Sequence, residues 1–231
     1  MALGVITFVT IVASVFGSAF FVHVRFAPET PWLESLKRPE VIVGGQLLAY
    51  VLVLLVMYFM VSAQSDGHVL EALRWNWPTN WSQYLLWGVA LEVCLLPLAY
   101  LLPMPKNAPI DEFFRTARDA YILSVFGILF APLFEELFFR GFLYPVLARR
   151  LGLAPSVLLT AAFFAVIHGS QLKYSWALLI IFLVGLALTV VRAVKKSVAA
   201  TVLMHMAYNG TIFVVTYIAT DRFRHMERFH Q

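Results

Sequence analysis

Seven long apolar runs, most of them close to the length that crosses a bilayer, govern what this chain can fold into. They extend roughly from Leu3 to Val24, Val41 to Ala63, Tyr84 to Leu102, Tyr121 to Leu147, Pro155 to His168, Trp176 to Val194 and Val198 to Ile218. About 20 helical residues cover a hydrocarbon core about 30 Å thick. In lipid the backbone must satisfy its own polar groups, so runs of this kind are expected to be helices. The expected fold is all-α: a polytopic bundle of about seven transmembrane helices in a single integral-membrane domain over residues 1–231. The fifth run is short, and an eighth crossing stays open if the first or fourth run is broken. The first run is expected to be a retained helix, because it is too long for a signal-peptide core and ends at His23 and Arg25 without a small-residue cleavage pattern.

Composition supports the same class. Hydrophobic residues make up 61% of the 231 and charged residues only 13%, about half the charged share of a soluble domain. A soluble globule, a disordered chain, a fibrous repeat and a nucleic-acid binder are all disfavoured, because each needs polar, repetitive or strongly basic sequence. The net charge of +4 needs no acidic partner, since Lys and Arg flank apolar spans and set topology. In a seven-span count Arg25, Lys37, Arg38, Lys106, Arg115, Arg118, Lys173, Arg222, Arg224 and Arg228 fall on the side of the C-terminus and Arg74, Arg149, Arg150, Arg192, Lys195 and Lys196 on the other, which leans toward a cytoplasmic C-terminus. Trp75, Trp77 and Trp81 around Pro78 read as an interfacial aromatic belt. The segment from Asp111 to Tyr121 reads as a solvated loop, with an interfacial helix or a lid as alternatives. Cys94 is the only cysteine, which excludes an intramolecular disulfide, a CxxC redox pair and a zinc ribbon.

A charged side chain near the bilayer centre costs about 2.5 to 3.5 kcal/mol on insertion scales, so each one needs a partner or a wet cavity. His23, Glu92, Glu135, Glu136, Arg140, His168 and His205 lie in or at the edge of the runs. His23 reads as an interface residue, and Glu92 as a structural carboxyl, with a partner for Arg140 or a substrate-path group as alternatives. The densest signal is Pro132 to Gly141. Adjacent carboxylates project about 100° apart on a helix, so Glu135 and Glu136 cannot do the same job. Glu136 and Arg140 stand at i, i+4 in the favourable order for an ion pair, which leaves Glu135 for chemistry. Its apolar neighbours Leu133, Phe134 and Phe138 are expected to raise its pKa toward a useful range for proton transfer. Pro132 is expected to kink the helix and free backbone carbonyls. Phe164 and His168, and likewise His205 and Asn209, are i, i+4 pairs on two further runs. Polar residues at one-turn spacing on three separate apolar spans point to one shared site.

EELFFR from Glu135 to Arg140, FAVIH from Phe164 to His168 and HMAYN from His205 to Asn209 together resemble the EExxxR, FxxxH and HxxxN motifs of the CPBP (Abi) family. That family groups CAAX prenyl endopeptidases with bacteriocin-processing and immunity proteins. The resemblance covers about Tyr121 to Ile218, so the catalytic helices are expected within 121–218. It implies a glutamic-type intramembrane endopeptidase acting on a membrane-associated protein or peptide. By that analogy Glu135 and His168 activate a water, His205 and Asn209 stabilise the oxyanion, and Glu136, Arg140 and Phe164 support them. The expected setting is a prokaryotic cell membrane, with the lipid bilayer and the substrate as partners and no nucleic acid.

Some members of the family are labelled metalloproteases, and Glu135, His168 and His205 would make three zinc ligands. Asn209 is an unusual zinc ligand and a natural oxyanion donor, so the expectation is a reaction without cofactor or metal, with zinc the less favoured option. Two other functions compete: a non-catalytic immunity or partner-binding protein that keeps the polar cluster structurally, and a proton-coupled transporter using Glu92, Glu135 and Glu136 as a relay. Prenylated C-termini, leader peptides and C-terminal sorting signals all remain open as substrates.

Overall fold

The computed structural model describes residues 38–104, 111 and 114–225, with isolated positions between 13 and 34. Most of the run read from Leu3 to Val24 lies outside the described residues. The other six runs each have a helical counterpart. They are α1 (Pro39–Ser62), α3 (Trp81–Leu101), α4 (Ala117–Leu151), α5 (Leu153–Ile167), α6 (Ala177–Lys195) and α7 (Val198–Ala219), with a single turn, α2 (Val69–Ala72), between α1 and α3. No strand occurs among the described residues. Five of these helices are long and apolar enough to cross a membrane, and α5, with 15 residues, is shorter. The expected count of about seven is therefore not reached among the described residues.

Local chemistry sets the ends of the helices. Thr116 caps α4 in a reciprocal box with Asp119, both bonds being 3.2 Å, which resolves the end of the Asp111–Tyr121 segment into a helix start. Gly152, at φ +79°, lets the chain turn from α4 directly into α5. Ser197 caps α7 by accepting from Ala200 N–H at 3.1 Å, and its hydroxyl donates to Asn76 O at 2.6 Å. That bond and Val198 N–H to Arg74 O at 3.0 Å tie the start of α7 to the α2–α3 connection.

The bundle centres on α7, which packs against α3, α6 and the middle of α4. Tyr84, Val184, Leu188, Ala200, Met204 and Tyr208 form its apolar core. Gly88 lets α3 and α7 cross closely: a Cβ there would meet the Met204 carbonyl and lie 2.7 Å from Ala207 Cβ. Small residues at such crossings are how membrane helices gain contact where burial from water drives nothing. Side chains on the outer faces, including Leu86, Val194 and Ile218, are exposed and apolar, as a lipid-facing surface requires. Cys94 is exposed as well.

Candidate active site

Helix α4 carries both carboxylates on a short α-helical stretch, Ala131–Glu136, held between two π-helical turns at Phe126–Phe130 and Leu137–Leu143. Widened turns of this kind recur at functional sites. The first turn shows what Pro132 does. Ala131 N–H bonds back five residues to Phe126 O, so the next carbonyl, Gly127 O, would be served by residue 132, and proline has no N–H. A backbone carbonyl without a donor is costly away from water. Asn209 supplies the donor from α7, its Nδ2 donating to Gly127 O at 2.7 Å. The expected freed carbonyl is therefore present, within a widened turn.

The two glutamates have separate partners. Glu136 and Arg140 are fully buried and paired at 2.8 Å. Arg140 also donates from Nη2 to Gly185 O at 2.9 Å and from Nε to Thr189 Oγ1 at 3.2 Å, and its guanidinium lies 4.6 Å from the Phe164 ring centroid. The same Glu136 Oε1 is 2.9 Å from His205 Nδ1. An Arg-paired carboxylate accepts, so His205 donates from Nδ1 and turns Nε2 toward Glu135, whose Oε2 is 4.0 Å away. Glu136 Oε2 has no hydrogen-bond partner, because the neighbouring Thr201 hydroxyl donates to Val198 O at 2.8 Å.

Glu135 has no arginine partner of its own. Its Oε1 accepts from the Tyr50 hydroxyl at 3.0 Å. Tyr50 belongs to α1, outside the three motifs, and its ring stacks on Phe134 with centroids 4.8 Å apart. Nothing in the spacing of α1 singles out this tyrosine; its role comes from the packing of α1 beside α4.

His168 follows α5, and its Nδ1 lies 2.8 Å from Phe164 O. A carbonyl only accepts, so Nδ1 carries the proton and Nε2 keeps a lone pair. Phe164 joins the two histidine-bearing helices, its ring centroid 4.9 Å from that of His168 and 5.7 Å from that of His205. Glu135, Glu136, Arg140, Phe164, His168 and His205 thus form one continuous cluster, and Asn209 sits one turn along α7 from His205 with one of its two amide hydrogens committed to Gly127 O. Glu92 stands apart from it, buried on α3 beside Tyr208 of α7. Among the described residues, no group of three or more His, Cys, Asp and Glu is arranged to hold a metal ion.

Residues 117–211 match the family described as type II CAAX prenyl endopeptidase Rce1-like. The match places that segment in the CPBP family. It spans α4 to the middle of α7 and includes all three motifs, so the resemblance first carried by Glu135–Arg140, Phe164–His168 and His205–Asn209 holds over the part of the chain that builds the cluster. At the level of the family, the match over that segment supports a CAAX-type intramembrane protease with a membrane-associated peptide substrate, and the apolar helices support a membrane setting. No curated protein and no solved structure matches the chain.

Proposed function

We propose that the chain is a glutamic-type intramembrane endopeptidase in which Glu135 and His168 activate the water that attacks the scissile carbonyl. The observation that carries this reading is the division of labour between adjacent carboxylates. Glu136 is occupied by Arg140 and His205, whereas Glu135 has only a tyrosine hydroxyl on one oxygen and a 4.0 Å gap to an imidazole nitrogen on the other. That gap is too long for a hydrogen bond, and a bridging water would fit such a separation. Glu135 takes the water's proton as hydroxide adds to the carbonyl carbon, and the proton then passes to the leaving amine. The free Nε2 of His168 gives the same water a second acceptor.

His205 and Asn209 stabilise the oxyanion in this scheme. For His205 to donate from Nε2 it must carry protons on both nitrogens, an imidazolium between the Glu136 and Glu135 carboxylates. Asn209 would donate through its second amide hydrogen. A positioned oxyanion donor is worth about 10² to 10³ in rate. The reaction is proposed without metal, and Glu136, Arg140 and Phe164 hold the geometry.

The proposed substrate follows the endopeptidases the family is described by: a membrane-associated C-terminal peptide bearing a prenyl group. The test is purified protein in liposomes with an internally quenched farnesylated peptide ending in Cys-aliphatic-aliphatic-X, beside its unprenylated counterpart and with or without a strong chelator. Cleavage of the prenylated peptide that survives the chelator supports the proposal. Loss of cleavage restored by zinc overturns the metal-free route, and failure to cleave either peptide, or any protein in a membrane-proteome comparison of cells with and without the chain, favours the immunity or partner-binding reading.

A further inference from the structure

The second π-turn of α4 repeats the geometry of the first. Tyr144 N–H bonds back five residues to Phe139 O, so the next carbonyl, Arg140 O, would be served by residue 145, which is again a proline. Its donor also comes from another helix: Arg192 Nε donates to Arg140 O at 2.9 Å. Arg192 stands near the C-terminal end of α6, is only 5% exposed, and has its guanidinium 5.8 Å from the Tyr144 ring centroid. An arginine that served only to anchor a helix end would extend toward headgroups. Buried against a backbone oxygen, this one acts on α4.

Arg140 is the residue through which that contact reaches the site. Its side chain holds Glu136, Glu136 orients His205, and His205 Nε2 faces Glu135. Helix α6 grips both ends of Arg140: Gly185 and Thr189 take the guanidinium, and Arg192, on the same face at i, i+4, i+7, takes the main chain. We propose that Arg192 is a positioning residue: by capping the carbonyl that Pro145 leaves without a donor, it fixes the turn from which Arg140 presents Glu136 and His205. This rests on the peptidase reading for its effect on rate, but the backbone device stands without it.

Glutamine places an N–H the same number of bonds from Cα as Arg Nε, and methionine places a methyl group there. Both remove the charge, so comparing Arg192→Gln with Arg192→Met isolates the donor. On the farnesylated peptide, Arg192→Met is expected to lower kcat roughly tenfold with KM little changed, while Arg192→Gln stays within about threefold of the original protein. Adding Pro145→Ala to Arg192→Met restores a backbone N–H five residues after Arg140 and should recover most of the loss. Amide hydrogen exchange across residues 137–147 gives a readout that needs no substrate. Exchange should rise in Arg192→Met and return toward normal in Arg192→Gln and in the double variant. Equal behaviour of the Gln and Met variants, or no recovery with Pro145→Ala, in hydrogen exchange, or in kcat where the original protein cleaves the peptide, overturns the proposal. If no peptide is cleaved by any variant, the exchange pattern decides it alone.

Discussion

Replacing Arg140 by methionine tests the buried ion pair at the centre of the bundle. The substitution keeps the apolar length of the side chain and removes three hydrogen bonds, to Glu136, Gly185 O and Thr189. Gly185 O retains a donor, because the Thr189 hydroxyl already reaches it at 2.7 Å, so the main cost falls on Glu136. That carboxylate would be fully buried with only His205 on one oxygen and nothing on the other. Removing one partner of a buried pair typically costs about 3–5 kcal/mol, a large fraction of the stability of an ordinary folded protein. We expect Arg140→Met to lose about 3 kcal/mol or more, and Arg140→Met combined with Glu136→Gln to regain at least about 2 kcal/mol, since the stranded charge is gone and Gln can still accept from His205. The folding equilibrium can be followed in mixed micelles by tryptophan fluorescence, six tryptophans being available. A single interhelical hydrogen bond in a membrane protein averages about 0.6 kcal/mol. A loss no larger than that for Arg140→Met, or a double variant less stable than the single, would refute the reasoning.

Three other substitutions probe separate parts of the structure. Tyr50→Phe removes the donor to Glu135 and should lower kcat about tenfold with KM and stability nearly unchanged, as expected for a hydrogen bond to a charged group; steady-state kinetics showing the rate within roughly twofold would deny Tyr50 a part in holding Glu135. Gly88→Val forces a side chain into the Met204 carbonyl and to within 2.9 Å of Tyr208 N, so a loss of about 1–3 kcal/mol is expected in the same unfolding assay, and an unchanged midpoint would contradict the close crossing of α3 and α7. Glu92→Gln keeps a polar group of the same shape beside Tyr208 and should change stability by less than about 1 kcal/mol while sparing peptide cleavage. Proton-coupled uptake by vesicles that disappears in Glu92→Gln would instead favour the relay reading.

What was legible in the sequence was what is local. Span positions depend on length and hydropathy, and six of them agree with helices to within a few residues. The Glu136–Arg140 pair was legible because i, i+4 neighbours meet on any helix. The third member, His205, was not, because its bond to Glu136 depends on how α7 lies against α4. Tyr50 was missed for the same reason. In the sequence Arg192 stands only among the basic residues that flank the spans, yet it is buried against α4. A signal was present: Gly185, Thr189 and Arg192 form a small, polar and cationic stripe on one face of an otherwise apolar helix. Pro132 correctly marked a backbone defect, but its form depended on a donor from Asn209, 77 residues away in the chain and 82 from the carbonyl it caps.

The central claim is that Glu135 carries the chemistry while Glu136 carries the structure. It is tested most directly by single-turnover cleavage of the farnesylated peptide by Glu135→Gln, beside the unfolding curve of the same protein. Gln still accepts from Tyr50, so the fold should be retained while cleavage falls by at least about 10², the usual contribution of a general base. A Glu135→Gln protein that cleaves at the original rate, or that fails only because it no longer folds, would contradict the account.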